Sequence, residues 1–359
     1  MRFIIVTQTF PPRIGGMQNV MESLAKKLSL VNETIVLPDH AIPKNHSILK
    51  TKINFHFSNF PKIIRGIVKK LKLKKILLPD DIIICDSWKS LSAIPLCKNK
   101  IIILAHGQEY LSKKKYYKIK KALKRINKII CNSNYTKGLI LKNYNIKETD
   151  LCFVPPTYSI DKNSNNYKKI IKKKDYVDLV TISRLEDRKG YLNVLDTLGF
   201  LVKKNILKNF KWKIFGEGPL KEKLDYKIKK LNLSQHVMLL GKILNKEKLK
   251  VLKDADLFVM PSYRVKNSIE GFGISYIEAA KFGVPSISGV DGGVVDAVIN
   301  NKTGWNTNPL NIKQLESTLI TAINNHKKRE EYGYNAKKYF HNNFTGNKAF
   351  EKFLKIIMS

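Results

Sequence analysis

The run DLFVMP at residues 256–261, followed by SIEGFGISYIEAAKFG at 268–283, sets the fold class of this 359-residue chain. Asp256 to Pro261 is a short apolar run of buried-strand type, and Ile274 to Phe282 has helical spacing until Gly283 and Pro285 stop it. The pattern predicts a strand, a glycine turn and a helix start, the repeating unit of a parallel α/β sheet. Two carboxylates fall within it, Glu270 in the turn and Glu278 on the helix. A helix N-terminus offers free backbone N–H groups, and glycines let an anion approach the main chain closely. Gly271, Phe272, Gly273 and Ile274 are therefore candidates to hold an anion beside two acceptor carboxylates. A nucleotide sugar, a diphosphate flanked by two polyhydroxyl rings, has that pattern of groups. The competing reading is an ordinary strand–turn–helix unit with two surface glutamates. A hydrolytic pair is disfavoured, because eight residues of continuous helix span roughly 12 Å at 1.5 Å per residue, beyond the roughly 5 to 9.5 Å such pairs need.

A second stretch, VDLVTISRLEDRKG at 177–190, is a β-branched strand followed by Arg184, Lys189 and Gly190 and then an amphipathic pattern at Tyr191, Val194, Leu195 and Leu198. Cations at the carboxyl end of a parallel strand lie where open α/β sheets bind ligands. Arg forks onto phosphate oxygens and Lys supplies a compact charge. A solvated basic loop is the alternative in so basic a chain.

The order of motifs, more than any one of them, resembles glycosyltransferase family 4, of the retaining GT-B type. The resemblance rests on Arg184 with Lys189, FGEGPL at 215–220, DLFVMPS at 256–262, the Glu270 to Glu278 spacing and GGVVDAV at 292–298. In the first half it rests on TQTFPPRIGGMQNVMESLAKKL at 7–28 and AHGQE at 105–109. FPPRIGG with EGFGISYIEA is most similar to the phosphatidylinositol mannosyltransferase group, which uses GDP-mannose. The resemblance implies two doubly wound Rossmann-like domains facing a cleft. It implies domains at 1–165 on the acceptor side and 166–344 for the nucleotide sugar, and a C-terminal helix in 345–359 packing back on the first.

By the same resemblance, Glu278 binds ribose hydroxyls and Glu270 hydroxyls of the transferred sugar. Arg184, Lys189 and the backbone around Gly273 and Ile274 stabilise charge growing on the departing phosphate, joined by the backbone of Gly15 and Gly16. His106 is expected to hydrogen-bond the donor sugar rather than act as base, so the catalytic candidates are His106, Glu270, Arg184 and Lys189. The leaving phosphate takes the acceptor's proton. No cofactor and no metal are expected; Asp254-Ala255-Asp256 imitates a metal motif but falls at a helix-to-strand junction. Departures are VPPTYSID at 154–161, where relatives carry Pro-Asn-Gly, and Thr9, where some mannosyltransferases are acidic. The donor base is not readable from these residues.

Composition adds the partner question. With 43% hydrophobic residues the chain can bury the cores of two domains. No apolar run approaches the roughly 20 residues that span a bilayer, and the start of the chain reads as a first strand rather than a signal peptide. Cys85, Cys97, Cys131 and Cys152 lack CxxC spacing and read as reduced thiols. The net charge is +37, and two blocks dominate the basic residues of the first half. KIIRGIVKKLKLKK at 62–75 holds seven basic residues and no acid, with Ile64, Ile67, Val68 and Leu71 at helical spacing. KKKYYKIKKALKRINK at 113–128 holds nine basic residues and no acid, with Tyr116, Tyr117, Ile119, Leu123 and Ile126 interleaved.

Both have the pattern of an interfacial amphipathic helix. Arg65, Lys69, Lys70, Lys72, Tyr116 and Tyr117 are accordingly candidates for contact with an anionic membrane or acceptor. Two alternatives stay open: apolar stripes facing the core, and basicity that reflects genomic bias. Nucleic acid is not expected as a partner, since no helix-turn-helix, RNP-like or zinc-finger pattern is present. The leading reading is a hexosyltransferase at the inner face of the cytoplasmic membrane, acting on a lipid or lipid-linked glycan. A soluble or polysaccharide acceptor, and an epimerase or hydrolase on the same fold, are the alternatives.

Overall fold

The computed structural model describes residues 1–13, 15–57, 60–160 and 175–359, in two units, residues 1–161 with 345–359 and residues 162–344. The expected boundary at 165 and most of the polar linker at 157–175 lie outside the described residues.

The first unit holds β1 (Phe3–Val6), α1 (Gly16–Leu28), β2 (Thr34–Leu37), β3 (Ile53–Phe55), α2 (Arg65–Ile76), β4 (Ile82–Cys85), β5 (Lys100–Ala105), α3 (Tyr116–Leu123), β6 (Lys128–Cys131), α4 (Asn134–Asn143) and β7 (Leu151–Phe153). Its seven strands are parallel, in the order β3-β2-β1-β4-β5-β6-β7. FIIV in β1 and IIIC in β4 are buried at every position. That is the continuous apolar pattern of strands covered on both faces, and it is why these segments do not alternate.

The second unit is a six-stranded parallel sheet, order β10-β9-β8-β11-β12-β13. Its elements are β8 (Val177–Ile182), α5 (Tyr191–Lys203), β9 (Phe210–Phe215), α6 (Lys221–Lys230), β10 (Val237–Leu239), α7 (Asn245–Asp254), β11 (Leu257–Met260), α8 (Ile274–Ala280), β12 (Ser286–Ser288), α9 (Val294–Ala297), β13 (Gly304–Asn306), α10 (Ile312–Asn324) and α11 (His326–Asn343). β9, FKWKIF, does alternate: Phe210, Trp212 and Ile214 enter the core, and Lys213 reaches Asp178 across the other face at 2.7 Å. The last helix, α12 (Gly346–Met358), belongs to the first unit, with Phe353 edge-on to Tyr158 at 5.7 Å. Both sheets are doubly wound, as expected from the sequence.

The two basic blocks part company. In α3 the stripe is core: Ile119 and Leu123 are buried, and Tyr116 stacks on Tyr144 at 5.3 Å, leaving Tyr117 outward. At α2 the stripe faces out, with Ile63 91%, Ile67 60% and Leu71 56% exposed, beside exposed Lys62, Lys70 and Lys74. Lys69 corrects its grouping with the surface cations. Its side chain is buried, with Nζ 2.5 Å from Asp39 Oδ1 and 2.9 Å from Thr7 O. Burial lowers its pKa, against the pull of Asp39. Arg65 donates to Phe60 O and Lys72 to Phe57 O, at 2.6 and 3.2 Å.

Candidate active site

In the second unit the loops after β8, β9, β11 and β12 are laid on one another, and glycines make this possible. Gly190 ends the turn after β8 at φ 78°, and a Cβ there would lie 2.3 Å from Pro261 O. Tyr263 N donates to Arg188 O at 2.9 Å. The turn carrying Arg188 and Lys189 is thereby pressed against the loop between β11 and α8, which carries Glu270. From the other side, Gly293 N donates to Glu270 O at 2.9 Å. Gly292 sits at φ 83° where a Cβ would come within 2.3 Å of the same oxygen. Both the spacing and the backbone conformation there require glycine.

The result is a clamped carboxylate. Arg188 Nη1 lies 2.7 Å from Glu270 Oε2, and Lys189 Nζ donates to the same oxygen. Side-chain exposures of 15% for Glu270, 12% for Arg188 and 8% for Lys189 make this a largely desolvated cluster. Burial alone pushes the Glu270 carboxyl up, but the charges of Lys189 and Arg188 and their hydrogen bonds outweigh it and hold the pKa down to about 2. For Lys189 burial is the larger effect and lowers its pKa, against Glu270. Arg188 is raised: burial opposes, and the attraction of Glu270 and Glu186 prevails. A carboxylate this acidic is a weak base, so Glu270 is suited to accepting hydrogen bonds from hydroxyls rather than to removing a proton.

The other sequence candidates distribute as follows. Arg184 is not on Glu270; its side chain is 75% exposed and pairs with Glu186 at 3.1 Å. Glu186 in turn receives Arg188 Nε at 3.1 Å, so Arg184 joins the cluster at one remove. Arg188 was missed from the sequence. Only the fold shows that it, as well as its neighbour Lys189, turns toward Glu270; adjacency to Lys189 in the turn was the available signal. Glu278 lies on α8 and pairs with Lys248 of α7 at 2.5 Å. Phe272 is buried, its ring 5.7 Å from that of Phe344, so it is a core residue and only its backbone is left for a ligand. Gly273, at φ 91°, starts α8, and Ser275 Oγ ties that helix to Ile182 O at 3.1 Å. With seven residues, α8 offers the free N–H groups of its first turn rather than a long dipole.

In the first unit, His106 follows β5. Its N–H donates to Glu109 Oε1 at 2.7 Å, and its carbonyl receives Asn132 Nδ2 at 3.2 Å. His106 Nε2 lies 2.7 Å from Asp86 O. A carbonyl only accepts, so Nε2 carries a proton, and in the neutral ring Nδ1 holds the lone pair. Nδ1 is buried and has no hydrogen-bond partner among the described residues. Gly15 precedes α1 in extended backbone, where a Cβ would meet only the end of the Gln18 side chain, and Gly16 opens the helix. Among the described residues, no group of three or more His, Cys, Asp or Glu side chains is placed to hold a metal ion, and no helix is long and apolar enough to cross a membrane.

Comparison with known proteins agrees with this fold. A model of glycosyl transferases group 1 matches residues 163–339, and one of glycosyltransferase family 4 matches residues 14–162. An uncharacterized glycosyltransferase of Methanocaldococcus jannaschii is 26% identical over 355 residues, covering 94% of this chain and 92% of the relative. The GDP-mannose-dependent alpha-(1-6)-phosphatidylinositol monomannoside mannosyltransferase of Mycolicibacterium smegmatis is 25% identical over 326 residues, covering 84% of each. The crystal structure of Anabaena HepE in complex with UDP has the same fold, with a TM-score of 0.81 over 100% of both chains at 17% identity. Two parallel Rossmann-like units, the motif order and both family matches together make this chain a member of glycosyltransferase family 4, with the GT-B fold.

Proposed function

We propose that this glycosyltransferase is a retaining, metal-independent hexosyltransferase. It moves a hexose from a nucleoside diphosphate sugar to a lipid or lipid-linked glycan at the inner face of the cytoplasmic membrane. The observation that carries the donor half is the Glu270 carboxylate held ionised by Arg188 and Lys189. A charged acceptor grips sugar hydroxyls with hydrogen bonds worth roughly 1.5 to 3 kcal/mol each. The cations beside it offset the negative charge that grows as the nucleoside diphosphate departs. Arg184, three-quarters exposed, is free to swing onto a phosphate, and Glu278 serves the ribose once Lys248 shares it. In the transfer the anomeric carbon loses its bond to phosphate and gains one to the acceptor oxygen, whose proton passes to the leaving phosphate. Glu270 takes no part as base, consistent with its low pKa.

The membrane half rests on the outward stripe at α2. Ile63, Ile67 and Leu71 stand exposed among lysines, which is what an anionic bilayer surface would cover. Each cation near such a surface contributes about 1 kcal/mol.

The test is transfer of labelled sugar from GDP-mannose and several UDP-sugars into lipid extracted from the source membrane, with chelator present. Label in the organic phase from one donor supports the reading and names that donor. Loss of transfer with chelator would overturn metal independence. Label confined to soluble or polymeric glycan would move the acceptor off the membrane.

A further inference from the structure

One buried carboxylate in the first unit has no part in the reaction as read so far. Asp86 directly follows β4 and is 1% exposed. Its Oδ2 accepts from Thr7 Oγ1 at 3.0 Å, Gln8 N and Thr9 N at 2.8 Å each, and Thr9 Oγ1 at 2.6 Å. Its Oδ1 accepts from Ser90 Oγ at 2.5 Å, and its main-chain carbonyl accepts from His106 Nε2 at 2.7 Å. The turn it grips is also held from the opposite side, where Lys69 Nζ meets Thr7 O at 2.9 Å. Since β1, β4 and β5 are sheet neighbours, Asp86 stands between the turn after β1 and the histidine after β5.

A contrast on the same strand shows what is unusual. Asp81, just before β4, is equally buried, but its carboxylate takes the Arg2 guanidinium at 2.8 and 3.0 Å and Leu78 N at 2.8 Å. That is a charge pair closing the amino edge of the sheet, a structural use. Asp86 instead gathers five uncharged donors at the carboxyl edge, where open α/β sheets bind ligands. The hydrogen bonds to Asp86 come from hydroxyls and amides, Lys69 acting on it through space rather than by a hydrogen bond, and what those bonds secure is the geometry of the groups they hold.

We infer that Asp86 is a positioning residue for glycosyl transfer, fixing the Thr7–Thr9 turn and His106 against each other. Its carbonyl selects the Nε2–H form of the ring, so that the lone pair of Nδ1 is kept for a hydroxyl. Thr9, whose hydroxyl donates to Asp86, belongs to this frame. The inference rests on the transferase reading above.

The experiment compares Asp86→Ala, Asp86→Asn and, as a structural control, Asp81→Ala in the full chain. Each variant is measured for amide exchange at Gln8 and Thr9, for Tm, and for kcat and KM with UDP-glucose and GDP-mannose over extracted lipid. Asp86→Ala should speed exchange at both amides and lower kcat about 100-fold, the scale of a misplaced reacting group, with donor KM changed less than about threefold. Asp86→Asn should recover kcat to within about tenfold of wild type, since its oxygen can face the turn while its amide faces Ser90. Asp81→Ala should lower Tm while leaving kcat per folded molecule unchanged. Equal losses in Asp81→Ala and Asp86→Ala after correction for folded protein, unchanged exchange at Gln8 and Thr9, or an Asp86→Asn variant as inactive as Asp86→Ala would each overturn the inference. If the wild type transfers from neither donor, it is the transferase reading that fails, and amide exchange alone then decides whether Asp86 holds the turn.

Discussion

Glu270, largely desolvated, and Asp86, fully buried, are both carboxylates on the carboxyl side of a parallel sheet, yet their surroundings are opposite. Glu270 lies between Arg188 and Lys189, and charge sets its state. Asp86 lies among hydroxyls and amides, and hydrogen-bond geometry sets its use. On the proposed function the second unit suits an anionic, polyhydroxyl ligand, because its loops bring cations and an acceptor to one point. The first unit is built to hold a loop and a histidine still. The comparison teaches that a buried acid is informative through its partners rather than its burial.

The largest effect that would break this comparison belongs to Glu270. Glu270→Gln should lower kcat about 100-fold or more, because it loses charged hydrogen bonds of roughly 1.5 to 3 kcal/mol each and leaves Arg188 and Lys189 uncompensated. Lys189→Met should follow, with about tenfold or greater loss of kcat in a protein whose Glu270 is still held by Arg188.

The two arginines sharpen the contrast. Arg188→Ala should lower Tm measurably, since its side chain is buried against Glu270 and Glu186. Arg184→Ala should leave Tm within about 2 °C while raising donor KM about tenfold, as expected of a three-quarters exposed side chain whose protein partner is Glu186 in a surface pair.

Acid titration of stability is a smaller signal with a definite sign. The folded-state pKa of Glu270 is depressed to about 2, so its contribution is present in full above the ordinary carboxylate range. It is lost as pH falls from there toward 2. The wild type should therefore lose more stability than Glu270→Gln between about pH 5 and pH 2.5, read by denaturant unfolding. The smallest expected effect is at the surface. Ile67→Asn with Leu71→Asn should weaken salt-sensitive binding to anionic vesicles several-fold without altering Tm, and unchanged vesicle binding would return α2 to an ordinary solvated helix.

Much of the fold could be read from period and apolar runs. FIIV at 3–6, IIIC at 82–85, KIIILA at 100–105 and KIIC at 128–131 are short β-branched apolar runs in the sequence and strands in the fold. TIVL at 34–37 and INF at 53–55 were not singled out. They are short, and β3 lies at the sheet edge with only its first residue buried, too little pattern to stand out. The apolar stripes of α2 and α3 show where periodicity stops. Both blocks mix lysines with apolar residues at helical spacing, yet one stripe is exposed and the other is core, because spacing defines a face without saying what lies against it. The candidate site was legible as motifs: the Gly turn, Lys189, Glu270 and His106 all lie in loops or turns that follow strands. Arg188 was not, because its approach to Glu270 depends on Gly190 lying against Pro261 and on Tyr263 holding Arg188 O, contacts between segments about 80 residues apart. Asp86 was hidden for the same reason, since its donors come from Thr7 to Thr9.

The central claim is that an ionised Glu270, held by two cations, binds the sugar being transferred. Its most direct test is the transfer rate of Glu270→Gln against wild type at saturating donor, with folded fraction measured on the same samples. The account predicts a folded protein with kcat down about 100-fold or more. A folded Glu270→Gln protein that transfers sugar within about threefold of the wild-type rate would contradict it.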